Sequence, residues 1–130
     1  MEEILDKLEE APDVGDFDGA MTIYSSGGDS KATIAATLES LATPGLTTMA
    51  SDTWYPVYKG YWDSQINYAH EFVQGAYTGT LPDEMKKELI KKGIAYQGVW
   101  MYAVHSFDKG MRECNVGYWD RGMAYYIGSL

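Results

Sequence analysis

From Asp83 to Cys114, apolar residues recur at helical spacing: Met85, Leu89, Gly93, Trp100, Val104, Phe107 and Met111. Gln97 is the one polar interruption. A stripe of that period and length predicts one long amphipathic helix. "TGTLPDE" supplies its start, with Thr80 or Asp83 as cap and Pro82 early. Gly93 and Gly98 inside it cost about 1 kcal/mol each relative to Ala, so they point to close packing against a neighbour.

The rest of the chain repeats that period in shorter pieces. Glu2 to Ala11 reads as a helix with Ile4, Leu5 and Leu8 on one side, ended by Pro12. Asp16 to Tyr24 places Phe17, Ala20, Met21 and Tyr24 together. Gly27 and Gly28 stop that helix, and Asp29 or Ser30 can cap the next, "KATIAATLESLA", with Ile34, Leu38 and Leu41 in one stripe. Helical spacing returns from Asp63 to about Tyr77, and a last helix starts at Asp120. Between them "TPGLTTMASDTWYPVYKG" has no clear period and carries Pro44, Gly45 and Pro56. It is long for a connection in a compact domain, so it is expected to be functional or to hold further structure. The reading is mainly α: one domain over residues 1–130, a multi-helix bundle with one long, irregular, aromatic-rich connection.

The word "GYWD" occurs twice, at Gly60–Asp63 and Gly117–Asp120. Asp63 and Asp120 stand where an N-cap belongs, with Trp62 and Trp119 as staples before the cap. The segments preceding the two copies do not match, so no internal repeat is read. The chain stops inside the apolar run "YYIGSL", which suggests a fragment or one repeat of a longer protein.

Composition narrows the function. The formal charge is −9. Met1 to Gly19 holds Glu2, Glu3, Asp6, Glu9, Glu10, Asp13, Asp16 and Asp18 against a single Lys, while Lys86, Lys87, Lys91 and Lys92 gather elsewhere. Neither group requires more than a solvated helix face. The balance leaves little material for a basic face toward a nucleic-acid backbone, so no nucleic-acid partner is expected. No apolar run is long enough to span a bilayer, so no transmembrane segment is expected. "MEEILDKLEE" is acidic and is not a signal peptide. Cys114 stands alone, so no internal disulfide forms.

Several familiar chemistries are excluded. "DVGDFDG" fails as a calcium loop, because aligning Gly19 with the central Gly puts Val14 first and Ser25 last, where a Glu is needed. His70 and His105 lack the Glu three residues earlier that a di-metal bundle requires. "YSSGGDSK" lacks the order of a phosphate-binding loop. Without a nucleophile–base pair or a close carboxylate pair, an enzyme is not expected. What survives is a group of oxygen donors and one imidazole. His105 and Asp108 share a helix face, and Tyr55, Tyr58, Tyr61 and Asp63 come from the irregular stretch. Phenolate, carboxylate and imidazole together suit ferric iron better than zinc or copper. The plainer alternative is a histidine hydrogen-bonded to Asp108, with tyrosines lining a core.

The segments "FDGAMTIYSSGGDS", "YPVYKGYWDSQINYAHEFVQGAYTG", "KELIKKGIAYQGVWMYAVHSFDKGMREC" and "GYWDRGMAYYIGSL" resemble the low-iron-inducible iron-assimilation proteins of green algae, which are related to the phytotransferrins. The resemblance runs from about Asp16 to Leu130. It implies an extracellular, cell-surface or periplasmic protein that binds ferric iron, with carbonate as an accompanying anion. Carried onto this chain, it implies Tyr58, Tyr61, Asp63, His105 and Asp108 as metal-binding residues. Ser25 and Ser106 stand where that pattern has Glu, which removes two carboxylates. A second reading follows: a non-metal structural or interaction module of the same fold, meeting a neighbouring domain or subunit through its aromatic surface.

Overall fold

A computed structural model of the chain describes residues 4, 6, 8, 16–27, 37–43, 49, 52–62 and 67–128. The fold is mainly α, and no strand occurs among the described residues. After the helical positions Ile4 and Leu8, both buried, come α1 (Phe17–Ser26), α2 (Leu38–Ala42), α3 (Tyr55–Tyr61), α4 (Tyr68–Thr78) and α5 (Asp83–Lys92). A π-helical segment (Gly93–Val99) then leads without a break into α6 (Trp100–Glu113), and α7 (Val116–Gly128) follows.

Local chemistry sets most of these boundaries. The Asp16 carboxylate accepts from the Gly19 N–H at 2.8 Å and opens α1; Gly27, at φ 88°, closes it in the left-handed conformation that glycine tolerates. Thr37 Oγ1 accepts from Ser40 N–H and opens α2. Thr37, in extended conformation, is the cap of α2, while Asp29 and Ser30 lie outside the described residues. Residues 28–36, with Ile34, lie outside the described residues. Part of the aperiodic stretch is helical after all: Pro56 sits in the first turn of α3, where its fixed φ suits the helix and its missing N–H costs nothing.

The expected long helix is continuous in space but changes its winding at Gly93. A Cβ there would lie 2.7 Å from Phe72 Cδ1, so α4 and this segment touch through glycine. Gly98 has no comparable requirement, since its nearest contact would be Ala42 Cβ at 3.8 Å. Pro82 precedes α5 without a side-chain cap, and Asp83 lies in the first turn, where a carboxylate meets the helix dipole. Cys114, at φ 50°, ends α6.

The two "GYWD" copies do different jobs, and neither is a helix entry among the described residues. Gly60 and Tyr61 belong to the last turn of α3, and Trp62 is its C-cap. Asp63 lies outside the described residues, and Asn67 is the N-cap position of α4. Asp120 sits inside α7, whose first turn is met by Asn115, with Oδ1 accepting from Gly117 N–H at 2.9 Å. What the copies share is a Trp anchor. Trp62 stacks on Tyr68 with the planes 3° apart. Trp119 packs on Gly110, and one turn away Phe107 fills the space left by Gly122. α6 and α7 thus form an antiparallel hairpin fastened by two glycine–aromatic contacts.

The core is built from Ile4, Leu8, Tyr24, Met49, Val73, Ile90 and Ile94, drawn from the N-terminal helical positions, α1, α4, α5, the π segment and the connection before α3. No helix among the described residues is long and apolar enough to cross a membrane.

Candidate functional site

Four charged or titratable side chains meet where the irregular connection crosses α6. Asp52 follows Met49, whose carbonyl accepts from the Asp52 N–H and whose side chain is fixed in the core. This turn presents the Asp52 carboxylate to α6. There, Oδ2 meets His105 Nδ1 at 2.5 Å and Oδ1 accepts from Arg112 Nη2 at 3.0 Å. Arg112 also reaches back one turn, with Nε donating to Asp108 Oδ2 at 2.9 Å. The Thr53 N–H approaches the same oxygen at 3.4 Å. One guanidinium thus joins two carboxylates, and one of those carboxylates holds an imidazole.

Burial gives the cluster its chemical character. The side chains of Asp52, Asp108 and His105 are 3%, 6% and 7% exposed, whereas Arg112 is 43% exposed. Buried charges of this kind are tolerated only when paired. Two carboxylates and one guanidinium sum to one negative charge before the imidazole is counted. A carboxylate that already accepts from Arg112 can only accept again, so Nδ1 of His105 donates to Asp52 and the ring is held in one orientation. Metal-binding histidines are oriented in this way. Tyr102 lies beside the imidazole, ring centroids 5.4 Å apart, and packs edge-on against Tyr125. Burial, then the neighbouring Tyr102, raise the pKa of Tyr125.

The predicted metal-binding residues divide between two places. His105 and Asp108 share the buried cluster. Tyr58 and Tyr61, 41% and 81% exposed, line a separate groove of about 410 Å³ with Tyr96, Trp100 and Val104. Asp63 lies outside the described residues. Tyr55 is buried and packs against Tyr68. Among the described residues, no three His, Cys, Asp or Glu side chains are set to hold a metal ion. The reason is visible in the cluster: Arg112 engages one oxygen of each carboxylate, and His105 engages the other oxygen of Asp52. The residue types nevertheless fit a hard cation, with two carboxylates and an oriented nitrogen in a dry setting.

Sequence reasoning missed Asp52 and Arg112. Arg112 stands four residues after Asp108 on a helix, a spacing that announces an ion pair. Asp52 had no such signal, because only the fold carries it to His105. Ser106, where the resemblance led to an expected Glu, is fully enclosed, and its Oγ has no hydrogen-bond partner among the described residues. Ser25 is exposed and bonds to its own helix through the Met21 and Thr22 carbonyls. The second histidine, His70, meets the Tyr24 hydroxyl at 3.2 Å and Glu39 at 3.7 Å. Comparison with protein-family models, curated proteins and solved structures finds no match for the chain.

Proposed function

We propose that this chain is a ferric-iron-binding module, the function its resemblance to the algal iron-assimilation proteins implies, with Asp52, His105 and Asp108 at its cation site. The observation that carries the reading is the buried Asp52 carboxylate on Nδ1 of His105, which orients the imidazole in an oxygen-rich, largely buried cluster. Arg112 already holds the place of a cation between the two carboxylates. Its exposed side chain can turn toward solvent when a more highly charged ion competes for those oxygens, and there it is placed to hold an accompanying anion such as carbonate. Tyr102 packs beside the imidazole and Tyr125 against Tyr102, so these phenols take the role that the resemblance implied for Tyr58 and Tyr61.

The test is a titration with ferric nitrilotriacetate in bicarbonate, read by thermal shift and by absorbance. A stabilisation of several degrees that disappears in both Asp52→Asn and His105→Ala supports the site. A charge-transfer band in the visible that survives Tyr58→Phe and Tyr61→Phe but not Tyr102→Phe assigns the phenol. No thermal shift and no colour at a tenfold excess of ferric ion ends the iron reading.

A second reading, a structural or interaction module, is favoured by α7. It exposes Val116, Trp119, Met123, Tyr126 and Ile127 at helical spacing, an apolar stripe of the kind that meets a neighbouring domain or subunit. Sedimentation of the wild type and of Met123→Glu tests it: a concentration-dependent dimer that the substitution dissolves supports the reading, and a monomer at every concentration removes self-association.

A further inference from the structure

The groove at Tyr58 and Tyr61 is a site in its own right. On one wall Tyr96 and Trp100 stand at 82°, ring centroids 6.0 Å apart. Tyr61 and Trp62, from the end of α3, stand at 83°, centroids 5.3 Å apart. Two perpendicular aromatic pairs therefore line one groove of about 410 Å³, within the range that holds a small molecule. Tyr96 and Gln97 belong to the π-helical segment, a rare winding that recurs at functional sites.

The lining selects the ligand by what it offers. Among the described residues, its side chains are aromatic or apolar apart from Gln97, and none is charged. Among the described residues, an anion finds no Lys or Arg there and a metal ion finds no carboxylate. Aromatic faces carry negative potential and attract cations, most strongly when the cation is weakly hydrated. The chain carries a net charge of −9, which raises the local concentration of cations. Lys86, Lys109 and Arg121 lie over Phe17 and Tyr118, and neither ring lines the groove.

We infer that this groove is an aromatic cage for a small, soluble quaternary-ammonium compound, whose methyl groups pack against Tyr58, Tyr61, Tyr96 and Trp100. The inference is independent of the iron reading, because no residue of the Asp52 cluster lines the groove.

The test uses choline and its uncharged carbon isostere 3,3-dimethylbutan-1-ol, titrated into the full chain with tryptophan emission as the readout. Saturable quenching by choline, at least tenfold tighter than by the isostere and lost in both Trp100→Ala and Tyr96→Ala, is expected. Tyr96 is exposed, so its truncation leaves the fold intact, and circular dichroism verifies both variants. Equal affinity for the isostere reduces the site to a plain apolar groove and overturns the proposal. Failure of choline to quench overturns it too, as does co-sedimentation with phosphatidylcholine vesicles without any response to free choline, which assigns the surface to lipid headgroups instead.

Discussion

The Asp52 carboxylate and the His105 imidazole meet at 2.5 Å although 53 positions of chain separate them. That contact ties the irregular connection to the longest helical run. Arg112 extends it to Asp108, so four side chains form one electrostatic unit.

Because both carboxylates are buried, the unit should fail asymmetrically. Arg112→Ala strands two negative charges and is expected to cost about 3 kcal/mol in urea unfolding. Adding Asp108→Asn to that variant removes one stranded charge and should recover part of the loss. Strict additivity of the two substitutions would show that Arg112 and Asp108 do not act together.

At the winding change, Gly93→Ala and Gly98→Ala should part ways. The first pushes a methyl into Phe72 and Val73 and is expected to lower stability by about 1–3 kcal/mol. The second meets nothing closer than 3.8 Å and should be neutral or stabilising by up to about 1 kcal/mol. Thermal melts of the two variants compare them directly.

In the α6–α7 hairpin, a Cβ at Gly110 would lie 2.9 Å from the Trp119 ring. Gly110→Ala should therefore destabilise the hairpin, while the pair Gly110→Ala with Trp119→Ala should cost less than the sum of the two. A double-mutant cycle with a coupling below about 0.5 kcal/mol would remove the contact from the account.

Two buried tyrosines make opposite predictions. The Tyr24 hydroxyl is bonded to His70, so Tyr24→Phe should cost about 1 kcal/mol. The Tyr68 hydroxyl is buried without a partner among the described residues, so Tyr68→Phe should be neutral or stabilising. Burial raises both phenol pKa values, with Glu39 adding to the shift at Tyr24, and Tyr55 and Tyr58 adding at Tyr68. Each folded value therefore lies above the ordinary one of about 10. Their contribution is intact below pH 10 and is lost above it, because the unfolded phenols release their protons first. Stability measured from pH 8 to 11.5 should fall at the alkaline end, less steeply in Tyr24→Phe.

The sequence by itself determined most of the described helices, but not α3, which lies in the stretch without a clear period, nor the start of α7. Apolar residues at helical spacing, Asp16 at one end of α1 and Gly27 at the other, and the side-by-side placement of His105 and Asp108 are local facts, set by the geometry of one turn. Local chemistry misled where a longer-range contact prevailed. The Asp of each "GYWD" copy has the right character for a cap, yet the second lies inside α7, where Asn115 meets the first turn and Trp119 seats on Gly110. Only the tertiary structure decided which donors gather. It brought Asp52 to His105 and placed Tyr58 and Tyr61 in a groove with Tyr96 and Trp100, because loop direction depends on packing at Met49 and along α3 and not on any spacing within the loop.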